Sequence, residues 1–242
     1  MLKHRSAGRR PQITFTADFH ELVQGDLLPG PCAMRYDPWR IVPRSEVLSL
    51  PASQQPVRAR INFHPVGSFW EGELRLRPGT AIEPIPDPTG QGTMLRAEFL
   101  LPPGCEELEG WFSYMDATGQ THWDSAMGAN FWLRFPAHDL NLLRGEVVSL
   151  PEAGLDRLEV ELESIPVVET IDLRWRLTQP SGQPRRQCAL ISSAAHDARK
   201  AWTTPVGGVP VPSGATVVFD LVYTVGGRKF TNDNEGTWFL AE

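Results

Sequence analysis

The stretch "TVVFDLVYTV", Thr216–Val225, decides the fold. Apolar side chains recur at every second position, and the residues between them are more mixed. A period of two with β-branched and aromatic residues is typical of a β-strand that buries one face. The residues expected on the buried face are Val217, Phe219, Leu221 and Tyr223.

Short runs of the same kind occur along the whole chain. Examples are "ARINF", "GELRLR", "LRAEFLL", "EVELESI" and "TIDLRWRL". The 22 prolines and 21 glycines are spread between these runs rather than clustered. One segment, "SAAHDARKAW" at residues 193–202, has the composition of a short helix. Many short strands separated by turns favour a sandwich or barrel, so the sequence predicts an all-β protein.

Charge and cysteine content restrict the class of protein. The net charge is −6, which argues against a nucleic-acid partner or an anionic membrane surface. The first residues, "MLKHRSAGRR", lack the apolar segment of a signal peptide, and we expect residues 1–12 to be a disordered basic tail. Cys32, Cys105 and Cys188 are far apart and form no C-x-x-C pair, which is typical of reduced thiols. We therefore expect a cytoplasmic protein.

An internal repeat is suggested by two stretches near the ends of two halves. "YMDATGQTHWDSAMGANFWLRF", 114–135, aligns with "YTVGGRKFTNDNEGTWFLAE", 223–242, if the loop of the second copy is two residues shorter. Trp123 then falls on Phe230, and Phe131 falls on Trp238. A repeat of about 107 residues has the size of one sandwich domain. We expect two tandem immunoglobulin-like β-sandwich modules at 13–140 and 141–242, with the break near "LNLLRGEVVSLPEAGL", 140–155.

The first copy resembles known families. Its segment "WDSAMGANF", 123–131, resembles the W-D-N-N-x-G-x-N-Y close of the starch- and glycogen-binding modules of carbohydrate-binding family twenty-one, although both central asparagines are replaced. Together with "ADFHELVQGDLLPGPCAMRYDPWRIVP", residues 13–135 are similar to a bacterial family of β-sandwich proteins of unknown function. The first resemblance implies glycan binding, and the second implies a fold without an activity.

The residues of the motif suggest how a ligand would be bound. An exposed indole offers a flat apolar face with a polar N–H edge, which suits a sugar ring. Trp123 would be this platform, and Asp124 and Asn130 would supply polar groups beside it. Trp39 in "YDPWR" and Trp70 in "GSFWEGE" are further candidate contacts. The sequence thus predicts a binding protein for a glycan or similar amphipathic small molecule, without cofactor or metal. The alternative is that the same turn residues only stabilise a hairpin.

Two other hypotheses fit the sequence. The first is a cofactor-independent cyclase or isomerase of bacterial natural-product biosynthesis, in which His122, Asp124 or Asp37 would act as acid or base. Asp37 would pair with Arg40 at the same end of the sandwich as the Trp123 loop. No nucleophile elbow, zinc spacing or phosphate-binding loop is present. The second is a scaffold whose edge strands recruit a partner or another copy, forming a homo-oligomer.

Overall fold

The computed structural model describes residues 10–43, 46, 57–76, 94–150, 154–179, 185–192 and 199–242. The chain divides between Phe135 and Pro136 into two compact units. We call the part that ends at Phe135 the first unit and the part that begins at Pro136 the second unit. Within the described residues, no helix has the length and apolar character needed to cross a membrane.

The first unit is built from nine described strands in two sheets. One sheet has the order β2-β1-β3-β6, with β1 parallel to β3, and the other has the order β5-β4-β7-β8, with β9 also paired to β7. Two single 3-10 turns, Pro38–Arg40 and Ala126–Gly128, follow β3 and β8. The strands are β1 Gln12–Phe15, β2 Glu21–Gln24, β3 Gly30–Tyr36, β4 Val57–His64, β5 Ser68–Leu74, β6 Leu95–Leu101, β7 Glu107–Met115, β8 Thr121–Asp124 and β9 Phe131–Leu133.

The inner faces of these two sheets form one aromatic-rich core. Phe15 of β1 contacts Phe112 of β7 edge to face, with 4.6 Å between the ring centroids. Phe131 of β9 adds a second edge contact to Phe15 at 5.2 Å. These edge-to-face ring contacts join the two layers of the sandwich and stabilise it by more than their buried area alone would.

The second unit begins with one helical turn, Pro136–Asp139, and continues with ten described strands. Its sheets have the orders β10-β11-β15-β14, with β16 also paired to β11, and β13-β12-β17-β18, with β19 also paired to β17. The strands are β10 Leu140–Leu150, β11 Leu155–Ser164, β12 Thr170–Leu177, β13 Arg186–Ala189, β14 Ile191–Ser192, β15 Lys200–Thr203, β16 Val209–Pro212, β17 Val217–Val225, β18 Arg228–Asn232 and β19 Phe239–Ala241.

The all-β prediction is confirmed, and the sheets pack as sandwiches. The four residues expected on the buried face of β17 are fully buried. Two local predictions were wrong. The break expected within 140–155 is occupied by β10, which pairs with β11 along its length. Residues 200–202 of the expected helix lie in β15, Lys200–Thr203, and residues 193–198 lie outside the described part. β1 begins at Gln12, the last residue of the predicted tail.

The closing hairpins of the two units share one pairing pattern. β8 and β9 both pair with β7, just as β18 and β19 both pair with β17. Tyr114 lies opposite His122, and Tyr223 lies opposite Phe230. In the structure Phe230 therefore corresponds to His122 and not to Trp123, as the sequence alignment had it, because the loop of the second unit is one residue shorter and not two. The repeat itself stays a prediction. Equivalent left-handed residues follow in both loops: Ala126 and Asn234, Met127 and Glu235, Gly128 and Gly236, Asn130 and Trp238.

Candidate binding face

Four aromatic side chains lie on the outward surface of the β5-β4-β7-β8 sheet. On β7, Trp111 lies between the core positions Gly110 and Phe112 and therefore points away from the core. Trp123 on β8 is 59% exposed and Phe69 on β5 is 53% exposed. We call this surface the indole face, and it consists of Phe69, Trp111, Trp123 and Trp132 with the polar residues Arg60, Asn62, His64, Glu71, Glu109, Ser113 and Asn130.

The strand register sets the spacing of the three indoles. Trp123 lies opposite Ser113, and Trp132 lies opposite Glu109. Because Ser113 and Glu109 are four positions apart on β7, the two indoles are separated by about 13 Å along the strand direction. Trp111 lies between these two positions on β7 itself. The face therefore offers three flat apolar rings over a distance longer than one sugar ring.

A first polar group lies beside Trp123. Arg60 Nε donates a hydrogen bond to Glu71 Oε2 at 2.9 Å, and its Nη1 donates one to Ser113 Oγ at 3.0 Å. The guanidinium carbon of Arg60 is 5.7 Å from the centroid of the Trp123 ring, within the range of a cation–π contact. These contacts fix both the arginine and the indole before any ligand arrives.

A second polar group lies beside Trp132. Glu109 accepts hydrogen bonds from Asn62 Nδ2 at 2.9 Å and Asn130 Nδ2 at 2.8 Å, and it lies 3.2 Å from His64 Nε2. Burial alone would raise the pKa of Glu109, but these hydrogen bonds outweigh it and hold the pKa below its usual range. The His64 ring packs on Trp132, with 5.0 Å between centroids. Because its pKa is lowered, the Glu109 carboxylate stays ionised at neutral pH.

Asn130 reaches this group because of the backbone of the β8–β9 loop. Its φ is 58°, in the left-handed region that asparagine tolerates better than most residues. Its backbone N–H donates to the Ser125 carbonyl at 2.8 Å, which closes the loop. The loop leaves Trp111 without a β8 or β9 residue directly opposite it, because the two strands pair with β7 on either side of that position.

The side chain of Asp124 does not point to the same face of the sheet as the Trp123 indole, contrary to the expectation from the motif. Neighbouring residues of a strand point to opposite faces, so Asp124 points inward. Its Oδ2 accepts hydrogen bonds from Tyr36 Oη at 2.7 Å and from Arg40 Nε at 2.8 Å. Arg40 also donates to the Thr16 carbonyl at 3.0 Å and to Glu21 Oε1 at 2.9 Å. Asp124 therefore ties β8 to the opposite sheet.

The Arg40 guanidinium is at the centre of a buried ion-pair group. Its side chain is only 1% exposed, and four aromatic rings surround it within 6 Å. Burial raises the pKa of Glu21, although the attraction of Arg40 opposes this. Burial, together with the neighbouring Asp124 carboxylate, also raises the pKa of Tyr36. This group is a cross-link of the sandwich, and it is not part of the indole face.

The two other predicted tryptophans serve the core. Trp39 is half-buried and packs against the core, and its backbone N–H donates to Asp37 Oδ1 at 2.9 Å, which caps the 3-10 turn. The ring of Trp70 lies over Gly72 and is 5.2 Å from Phe99. Neither lies on the indole face. Sequence reasoning missed Trp111 and Trp132. In "EGWFS" and "FWL" each tryptophan is next to a core phenylalanine in the chain, so strand alternation makes the tryptophan point outward.

The residues of the enzyme hypothesis are bound to different partners. His122 Nε2 lies 2.8 Å from Asp116 Oδ2, on the inner side where its ring meets Tyr114. Asp37 caps the turn after β3, as described above. Arg40, which was expected to pair with Asp37, instead forms its ion pairs with Asp124 and Glu21. Each of the three candidate acid–base residues is therefore bound to a partner outside this set.

The second unit provides an internal contrast to this site. At the positions equivalent to Trp111, Trp123 and Trp132, it has Asp220, Thr231 and Leu240. Its sheet thus has no indole at these three equivalent positions. In the described part of the chain, no group of three histidine, cysteine, aspartate or glutamate side chains could hold a metal ion. No protein-family model and no curated protein matches the chain, so the resemblance to starch- and glycogen-binding modules stays a prediction.

Proposed function

We propose that the first unit binds a glycan, or a similar amphipathic small molecule, on the indole face without catalysing a reaction. The observation that supports this most is the pairing of indoles with fixed polar groups. Trp123 lies beside the Arg60 group, and Trp132 lies beside the Glu109 group. A sugar ring presents a C–H face for stacking and hydroxyl groups at its edge, and each half of the indole face complements one such ring.

The arrangement favours an oligosaccharide over a single sugar. The indoles of Trp123 and Trp132 are about 13 Å apart along the strands, with Trp111 between them. Arg60 and Glu109 are already held by protein partners, so a ligand meets donors and acceptors that need no reordering. Such preorganisation lowers the entropic cost of binding.

The face suits binding better than acid catalysis. Its central carboxylate, Glu109, has a lowered pKa, which makes it an acceptor for hydroxyl groups rather than a proton donor at neutral pH. None of the residues of the enzyme hypothesis points onto the face. The indole of Trp123 is exposed, as a stacking platform requires.

The test is a titration with maltooligosaccharides and then a wider glycan array, followed by tryptophan fluorescence and calorimetry. Trp123→Ala and Trp132→Ala should each lose about 2 kcal/mol, which is roughly a 30-fold rise in Kd. Leu100→Ala is the matched control, because Leu100 is an exposed apolar residue on the other sheet of the same unit. The proposal fails if wild type and Trp123→Ala give the same flat response to every glycan.

A further inference from the structure

A separate surface of the second unit is formed around Trp238. This residue ends the β18–β19 loop with φ 62° and is half-buried. Its backbone N–H donates to the Asp233 carbonyl at 2.7 Å, and its own carbonyl accepts from Asn234 Nδ2 at 3.0 Å. The loop thus holds the indole in a defined position.

Two arginines pack on this one ring. The guanidinium carbon of Arg176, from β12, is 5.2 Å from the Trp238 ring centroid, and that of Arg185 is 4.3 Å from it. Both side chains are exposed. Arg186, which lies opposite Trp175 in register, instead has its guanidinium carbon 5.2 Å from the centroid of the buried Trp175 ring. The indole gathers positive charge at this corner of the sheet.

These two arginines differ from Arg174 and Arg60 in their partners. Arg174, two positions before Arg176, forms a two-bond ion pair with Asp220, and Arg60 binds Glu71. In the part of the chain that the structure describes, no carboxylate lies within ion-pair distance of Arg176 or Arg185. The loop carboxylate of Asp233 accepts from the Gly236 N–H at 2.9 Å. Both guanidinium groups contact the same ring, and an anion that contacts both of them would supply the counter-charge that no described ion pair supplies.

The chemistry of stacked guanidinium groups indicates which anion fits. A guanidinium that stacks on an indole keeps its N–H edge free for in-plane hydrogen bonds. A tetrahedral dianion has more acceptor oxygens than one carboxylate, and its double negative charge matches the charges of two arginines. We propose that Arg176, Arg185 and Trp238 form a binding site for a phosphate or sulfate group. This proposal does not depend on glycan binding by the first unit.

The experiment is an NMR titration of the full chain with inorganic phosphate, observing the arginine Nε–Hε signals while sodium chloride keeps the ionic strength constant. Parallel titrations with inorganic sulfate and with methyl phosphate separate a free anion from an esterified one. We expect saturable shifts of the Arg176 and Arg185 signals, and a rise in Kd of at least tenfold in Arg176→Ala and in Arg185→Ala. Arg185→Lys should weaken binding less, because it keeps the charge.

The control is Arg58→Ala, which removes an exposed arginine from the first unit and should leave the Kd for phosphate unchanged. Methyl phosphate that binds as tightly as free phosphate would support a site for phosphate esters, and tighter binding of sulfate would support sulfate esters. The proposal is overturned if chloride produces the same shifts at equal ionic strength, or if Arg176→Ala and Arg185→Ala bind phosphate as wild type does.

Discussion

Removal of the Asp124 carboxylate tests whether this motif residue is structural. In Asp124→Ala, Tyr36 Oη and Arg40 Nε both lose their acceptor. Arg40 then keeps only the Thr16 carbonyl and Glu21, and Glu21 is 29% exposed, so its attraction is partly screened. Removing one partner of a buried ion pair costs about 3–5 kcal/mol. Asp124→Asn keeps an oxygen in place and loses only the charge, so it should cost less, about 1–3 kcal/mol.

The assay must report on the first unit alone, because both units contain tryptophans. Urea unfolding, monitored by hydrogen exchange and mass spectrometry, assigns a free energy of unfolding to the peptides of each unit. A double-mutant cycle with Arg40→Met isolates the pairwise energy, which we expect to be about 2–3 kcal/mol.

The matched control is Asp220→Ala in the second unit. The side chain of Asp220 is 2% exposed and that of Asp124 is 10% exposed, but Arg174, the partner of Asp220, is 28% exposed, so solvent screens this pair and the loss should be smaller. The reasoning is refuted if Asp124→Ala destabilises the first unit by less than about 1 kcal/mol, or if the cycle gives no coupling between Asp124 and Arg40. Either result would mean that the buried group does not hold the sheets together.

Three further predictions concern other residues of the structure. Glu109→Gln should destabilise the first unit at neutral pH, and the difference from wild type should vanish on acidification, because a lowered pKa gives stability that is lost as pH falls through it; urea titrations at several pH values check this. Gly72→Ala should cost about 1–3 kcal/mol, because the new Cβ would lie 2.1 Å from the Trp70 ring, and thermal unfolding measures the loss. Burial raises the pKa of all three thiols, to about 12 in Cys32 and to about 11 in Cys105, but Cys188 is half-buried where the other two are buried. Native protein at pH 8 should therefore react with a thiol reagent first at Cys188.

Strands with an unbroken period of two were the predictable part of the fold. The runs "TIDLRWRL" and "LRAEFLL" coincide with β12 and β6. β10 was missed because its register with β11 shifts between Leu142 and Arg144, and such a bulge interrupts the alternation on which a strand is recognised. The strand contains Gly145, where the ring of Phe219 covers the position and leaves no space for a side chain.

The candidate site was predictable only in part. The exposure of Trp123 agrees with the expectation from its polar loop. The partners of Asp124 could not be found from the local sequence, because Tyr36 and Arg40 are 88 and 84 residues away along the chain. Trp111 and Trp132 could have been found from strand alternation alone. The search for a motif drew attention to neighbouring residues, whereas a sheet surface is formed by every second residue of several strands.

The matched residues of the W-D…G-x-N-aromatic close therefore have two separate roles. Asp124 and Phe131 serve the interior, and Gly128 takes a left-handed φ of 90°, so all three maintain the hairpin. Only Trp123 and Asn130 lie on the indole face. The second unit has the same sequence of left-handed residues without the indoles, so this hairpin geometry does not require a stacking surface. A resemblance in this motif consequently predicts the hairpin more strongly than the ligand. Trp123→Ala separates the two, since it should weaken binding roughly 30-fold and leave the unfolding free energy of the first unit nearly unchanged.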